Sequence, residues 1–416
     1  MVKLLIVADD FTGALDTAVQ FAACGANTRV ISEVDFSFGE IDQEIEVLVV
    51  NAETRHMTSG NAYEAVYKIV HKAIAFGVVY IFKKTDSALR GNIGSELTAT
   101  LNATRAHHLH FIPALPKMNR KTVCGIHYID SLPVHESVFG KDPFEPVEVS
   151  YIPDLIALQN DVSVQLATKV SEGPGDKGII IYDASTDEEI SQIISKLDAS
   201  GNGVIMAGCA GLAAALTKRF KFKGHQPLSF TKKNNFLVVC GSVNPITKEQ
   251  LDYAELNGFQ RIRLKPNQKL SPAYYGTEKG EREFQNLLEK IKHSNRNILD
   301  SNDLPNTNLT MMHAEKYKLT MDDIRLNISN TLGFILKKLI EAGIETTIMI
   351  TGGDTLLGFM KQIDAVELTP MYEMAPGTVV SKLVINHKEY DIISKSGGFG
   401  EENLLVALAD KLLAHV

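Results

Sequence analysis

The chain has 416 residues, more than one hydrophobic core usually organises, so two domains are expected. Its 44% hydrophobic and 22% charged residues are ordinary for a globular protein, and a net charge of −8 without a long basic run argues against a nucleic-acid partner. Four scattered cysteines with no CxxC pair argue against a disulfide scaffold or a zinc centre, so no metal ligands are assigned, and no apolar run reaches the ~20 residues of a membrane span.

The first apolar run, 4–8, is cut short by Asp9 and Asp10, which reads as a buried strand rather than a secretion signal; a cytoplasmic protein is expected. Helical spacing follows over 13–24. Short β-rich runs at 28–32, 47–50, 78–82 and 109–112 alternate with helical patterns at 59–76 and 92–104, and runs at 178–182 and 204–207 repeat the scheme. This alternation predicts βαβ units on a mainly parallel sheet covered on both faces. Lysines, Gly and Pro without periodicity over 220–235 mark a linker. A second α/β series then begins with a strand at 236–240. It continues with 261–264, a helix near 278–293, a further short run at 307–312, a long helix over 322–342, a strand at 346–350, and a hairpin of 379–385 and 389–393.

Ligands of parallel sheets bind beyond the carboxyl ends of the strands. Asp9 and Asp10 stand at the first such end. One carboxylate can face a ligand while the other caps the helix, with Asp16 further along; a solvated acidic turn is the competing reading. The end at 82–92 gathers Lys84, Asp86, Arg90 and Asn92, groups suited to a carboxylate and to hydroxyls. After the strand at 109–112 comes a long segment with few secondary-structure signals, carrying Lys117, Arg120, His127 and His135, which reads as a binding loop or lid. In the second half, Gly241-Ser242, Gly352-Gly353-Asp354-Thr355 and Ser396-Gly397-Gly398-Phe399-Gly400 are three glycine-containing turns behind apolar runs. They are suited to phosphates at helix N-termini. None has the Walker pattern, and no GxGxxG follows the first strand.

Together Asp9-Asp10-Phe11-Thr12-Gly13-Ala14, Lys84-Thr85-Asp86-Ser87-Ala88-Leu89-Arg90-Gly91-Asn92, Gly241-Ser242, Gly352-Gly353-Asp354-Thr355 and Ser396-Gly397-Gly398-Phe399-Gly400 resemble the four-carbon acid sugar kinase family (the domain-of-unknown-function 1537 group), in order along the whole chain. The resemblance implies two α/β domains, each a mainly parallel sheet flanked by helices, with the active site in the cleft between them. Residues 1–225 would bind the acid sugar and residues 234–416 the nucleotide. It implies ATP and Mg²⁺, and transfer to the O4 hydroxyl of 3-oxo-tetronate, threonate or erythronate, an alcohol-acceptor phosphotransferase activity. Asp10 would be catalytic; Asp9, Lys84, Asp86, Arg90 and Asn92 would bind the acid. Ser242, Gly352, Gly353, Asp354, Thr355, Gly397 and Gly398 would hold the nucleotide. Ala88 and Asn244 stand where Thr and Ser are expected more often in the family. A non-catalytic sugar-acid sensor and an NAD-dependent hydroxy-acid dehydrogenase are the alternatives. Oligomeric state stays open, a homodimer being one option.

Overall fold

The structure is a computed structural model; it describes all residues except 143–144, 168–176, 202, 225–227, 272 and 414–416. The chain divides into two compact units, Met1–Pro227 and Leu228–Val416. Residues 225–227 of the expected linker therefore lie outside the described residues.

The first unit opens with β1 (Leu4–Ala8), whose five apolar residues are all buried, as a strand covered on both faces requires. With β2 (Thr28–Ile31), β3 (Val47–Asn51), β4 (Tyr80–Lys84) and β5 (His108–Ile112) it belongs to one parallel sheet. The chain then leaves the sheet for β6 (Arg120–Val123), β7 (Ile126–Ile129) and β8 (Leu132–Pro133). It returns as β9 (Ser163–Leu166), β10 (Gly178–Ile181) and β11 (Ile205–Gly208). The order is β2-β3-β1-β4-β11-β5-β10-β9, all parallel. The crossover helices are α1 (Phe11–Ala23), α2 (Ser59–Phe76), α3 (Ile93–Thr104), α4 (Ile152–Ala157), α5 (Asp187–Ala199) and α6 (Ala210–Leu216). Leu5, Val7, Leu48, Val50 and Ile81 face Val66, Ile69 and Val70 of α2 and Leu97 of α3 in one core. From β1 the chain goes out to β2, comes back to β3 beside β1, and then crosses to β4 on the other side. The strand order therefore reverses at β1/β4, where parallel sheets leave a crevice.

The segment after β5 corrects the expectation of a long loop. β6, β7 and β8 form a three-stranded antiparallel sheet. The β6–β7 turn is Cys124-Gly125, with φ of 51° and 74°. Two positive φ values make a type I′ hairpin, which Asn-Gly or Asp-Gly normally signals. Here both turn N–H groups instead donate to the distant Asp183 carboxylate, at 2.7 and 2.9 Å. Pro143, in the same segment, lies outside the described residues.

The second unit carries β12 (Phe236–Cys240), β13 (Gln260–Arg263), β14 (Arg296–Asp300), β15 (Thr347–Thr351), β16 (Glu367–Ala375), β17 (Thr378–Ile385) and β18 (Lys388–Lys395). Its helices are α7 (Pro245–Leu256), α8 (Pro266–Lys269), α9 (Glu278–His293), α10 (Leu309–Tyr317), α11 (Met321–Glu341), α12 (Gly353–Gln362) and α13 (Leu404–Leu413). The order is β13-β14-β12-β15-β18-β17-β16, parallel as far as β18 and antiparallel beyond it. Phe236, Val238, Met349 and Ile393 pack with Leu251 of α7 and Leu405 and Leu408 of α13. The hairpin turn is Asn386-His387. The run at 307–312 is not a strand but the start of α10; the strand is β14, whose Arg296, Asn297 and Asp300 hid an apolar signal only two residues long. Asn297 is wholly buried because its amide donates to the Ile291 and Ser294 carbonyls.

Candidate active site

In the first unit, β1 and β4 lie side by side with Ala8 opposite Lys84, so their ends open together at the reversal point. Asp10 is the N-cap of α1, its carboxylate accepting from Gly13 N at 3.0 Å and from Thr12 Oγ1 at 2.7 Å. The next carboxylate back, Asp9, turns toward Arg55 and accepts from its Nε at 2.8 Å. The same guanidinium reaches Asp10 at 2.8 Å and Asp86 at 3.5 Å. Asp86 is gripped in turn by Arg90, Nε to Oδ2 at 2.9 Å and Nη2 to Oδ1 at 3.1 Å, and by the Ala88 and Arg90 backbone N–H groups. Arg90 extends to Asp142 at 3.2 Å and lies over the Phe139 ring, with Arg120 over that ring too. Arg120 also donates to Ser87 Oγ.

Lys84 donates to the Thr85 carbonyl at 2.7 Å, and a Cβ at Gly13 would sit 2.7 Å from its ammonium and 2.5 Å from Asp10. A side chain at this position would push both groups aside. Beneath them Lys83 and Glu96, both fully buried, pair at 2.6 Å, and Lys83 also donates to the Lys84 carbonyl. Burial works against ionisation of Asp10, but Arg55, Lys84 and the Thr12 hydroxyl outweigh it and hold the carboxyl below its ordinary value. Asp86 is held well below: burial is again overcome, here by Arg90 and Arg55. Side-chain exposure separates the three acids at 2% for Asp9, 8% for Asp86 and 18% for Asp10, so Asp10 is the one that reaches the crevice.

The structure thus brings together Asp9, Asp10, Lys84, Asp86 and Arg90, and adds Arg55, which the sequence reading passed over. Arg55 follows the end of β3, next to β1, so a survey of every parallel strand end would have reached it. Asn92 has a different setting: its amide donates to the carbonyls of Thr54 and Met57 and holds the Arg55 loop in place. Lys117 is exposed on the surface, and Asp16 is buried on α1. His127 is buried between Ser87 O and Thr122 Oγ1, and burial pushes its imidazole down to about 4.

In the second unit, β12, β15 and β18 are adjacent and parallel, with Cys240 opposite Thr351 and Thr351 opposite Lys395. Their three glycine turns therefore stand in a row. Gly352 caps α12 at φ +101°, a conformation only glycine adopts without strain. The α12 N-terminus presents the first-turn N–H groups of Gly353, Asp354 and Thr355. Gly241 and Gly397 are close approaches: Cβ atoms there would meet Thr355 Oγ1 at 2.1 Å and Ser242 Oγ at 2.6 Å. Asp354 pairs with Arg325 of α11 at 3.0 Å. Asn302, beyond β14, donates to the Ser242 carbonyl at 3.0 Å. Asn244 caps α7 through Ile246 N, a role that serine would fill as well. The thiol of Cys240 is buried and pushed up to about 12, which rules it out as a nucleophile at neutral pH.

Residues 4–216 match the family model of a sugar-binding N-terminal domain and residues 237–405 that of a nucleotide-binding C-terminal domain. A D-threonate kinase of Salmonella typhimurium is 27% identical over 97% of this chain and 96% of its own. The chain belongs to the four-carbon acid sugar kinase family. Another relative in that family, a D-erythronate kinase of Heliobacterium modesticaldum, is 24% identical over 100% of this chain and 98% of its own. A solved Haemophilus influenzae structure from the domain-of-unknown-function 1537 group shares the fold at a TM-score of 0.68 and 19% identity, covering 98% of this chain and 100% of that one. A solved Salmonella typhimurium LT2 structure described as a putative tRNA synthase also shares the fold, at a TM-score of 0.77 and 21% identity over 99% of this chain and 100% of that one. Among the described residues no helix is long and apolar enough to cross a membrane.

Proposed function

We propose that this family member transfers the γ-phosphoryl group of ATP to the O4 hydroxyl of a four-carbon sugar acid such as 3-oxo-tetronate, threonate or erythronate. The observation that carries this reading is the division of chemistry between the units. Carboxylates and guanidinium groups cluster at the reversal point of one sheet, and three glycine turns stand in a row on the other. Curated relatives that act on such acids align along nearly the whole chain.

In the first unit, Arg90 and Lys84 attract the acid's carboxylate, while Asp10, with Asp9 behind it on Arg55, receives the terminal hydroxyl. Because Asp10 is held ionised, its work is to orient that hydroxyl and accept its proton late. This suits a loose transition state, which asks little of a base. In the second unit, N–H groups at Gly353–Thr355 and at Gly397 and Gly398 receive phosphate oxygens, Gly397 lying so close to the Ser242 turn that a Cβ would meet Ser242 Oγ at 2.6 Å. Mg²⁺ supplies charge neutralisation on the phosphates when bound. Magnesium keeps several waters and takes one or two carboxylates; Asp354, in the first turn of α12, would have to exchange its Arg325 partner to serve as one of them. Transfer needs hydroxyl and phosphate in line with water excluded.

The test is a coupled ADP-release assay over four-carbon sugar acids, with Asp10→Asn beside the wild type. Asp10→Asn is expected to abolish turnover while ATP still binds. Wild-type turnover in that variant removes Asp10 from the chemistry. Tight acid binding without ADP release from any acid makes the chain a sensor.

A further inference from the structure

Lys395 ends β18, and residues 396–401 follow it and lie against α7. Thr247 and Gln250 are three apart on α7 and so share a face. Thr247, Gln250 and Lys395 are all buried, at 1%, 0% and 0% exposure. The side chains of these three residues donate to the carbonyls of Ser396, Gly397, Phe399, Gly400 and Glu401. Lys395 Nζ reaches Ser396 O at 3.0 Å, Gly397 O at 3.5 Å and Thr247 Oγ1 at 3.3 Å. Thr247 Oγ1 in turn donates a hydrogen bond to Gly397 O at 2.7 Å. Gln250 Nε2 lies 3.0, 2.8 and 3.0 Å from the carbonyls of Phe399, Gly400 and Glu401.

A trans peptide is planar, with its C=O and the following N–H pointing in opposite directions. Carbonyls drawn toward α7 therefore turn the N–H groups of Gly397, Gly398, Gly400 and Glu401 the other way. A glycine-rich turn left to itself could expose either polarity. This one is compelled to expose donors, and the Lys395 ammonium beneath it adds positive potential to the same side.

We infer that Thr247, Gln250 and Lys395 are positioning residues that fix the turn after β18 as a receptor for nucleotide phosphates. The inference rests on the nucleotide reading of the second unit and adds the cause of the turn's polarity. Without the donors, the buried carbonyls compete for the same space and the peptides can rotate acceptors toward the anion, which repels it.

The experiment is calorimetric titration of ADP into the full-length wild type, Gln250→Leu, Thr247→Val and Thr247→Ser. The first two substitutions keep volume and remove donors, whereas Thr247→Ser keeps the hydroxyl. Gln250→Leu and Thr247→Val are expected to weaken ADP by roughly tenfold, the factor that follows from losing a hydrogen bond to an ordered peptide. Thr247→Ser should recover most of that loss. In the acid-kinase assay KM for ATP should rise while KM for the acid stays constant. ADP affinity within twofold of wild type in both donor-less variants, with native circular dichroism, overturns the inference and leaves the kinase reading standing. A wild type that binds no ADP overturns both. Should Gln250→Leu fail to fold, the Thr247 pair decides the matter by itself.

Discussion

Arg55 holds three carboxylates with one guanidinium, and each of those acids is short of water. Remove the guanidinium and Asp9, Asp10 and Asp86 face one another across a buried space. Arg55→Met is therefore expected to lower the free energy of unfolding by about 3–5 kcal/mol, the usual effect of orphaning buried charge. Arg55→Lys should recover only part, since an ammonium lacks the fork that spans several carboxylates. Urea unfolding measures both, and a loss below ~1 kcal/mol in Arg55→Met would contradict the assignment. The acid stability of the protein has two separable windows. Asp86 titrates well below an ordinary carboxyl in the folded state, so its stabilisation is complete above the usual carboxylate range and fades as pH falls toward the folded value. His127 acts earlier. Its folded value near 4 lies under the unfolded ~6.5, so the unfolded chain takes up a proton first, and stability declines from pH 6.5 down to 4 by about 3 kcal/mol. Thermal melts across that range should flatten in His127→Gln. These residues were not equally legible. Asp9, Asp10, Lys84, Asp86 and Arg90 stand next to strand ends with glycines close by, whereas Arg55 lies in a loop with no glycine, and its partner Asp10 is 45 positions away.

At the scale of elements, Gly352 is the sharpest test. A Cβ there meets nothing closer than 3.6 Å, so the cost of Gly352→Ala is conformational rather than steric. Holding alanine at φ +101° costs about 1–3 kcal/mol, and relaxation of the turn would pull the α12 N-terminus out of line. A higher KM for ATP with an unchanged KM for the acid is expected in steady-state kinetics; an equal rise in both would argue against a local role. Elements announced by continuous apolar runs, β1, β3, β12 and β15, were readable because burial on both faces leaves one signature. β14 was not, because its charged and amide ends are satisfied only by tertiary partners: Arg261 binds Asp300 at 2.7 Å, and the Asn297 amide reaches Ile291 and Ser294. The β6–β8 sheet was missed for a similar reason. Its Cys124-Gly125 turn is stabilised by Asp183, far away in sequence.

For the whole molecule, charge sets a problem. Both proposed substrates are anions, and the chain carries a net charge of −8. Attraction must then be local, and the first unit supplies it by concentrating Arg55, Lys84, Arg90 and Arg120 around its acids. Neutral tetritols of the same length offer the hydroxyl without the carboxylate. Their kcat/KM should fall roughly 30- to 160-fold below that of the matching acid, as expected when a charge-assisted hydrogen bond worth about 2–3 kcal/mol is forgone. Comparable turnover of erythritol and an erythronate-type acid would show that the basic cluster does not read the carboxylate.

The row of turns on β12, β15 and β18 also acts as a ruler. Adjacent strands are about 4.8 Å apart, so the three turns span about 10 Å, which a single phosphate cannot bridge and a triphosphate can. On the proposed nucleotide reading, such a row would respond to the length of the polyphosphate tail rather than to the identity of the base. In the proposed reaction ATP and ADP would then differ in how much of the ruler they cover, and the shorter tail would be held at fewer turns.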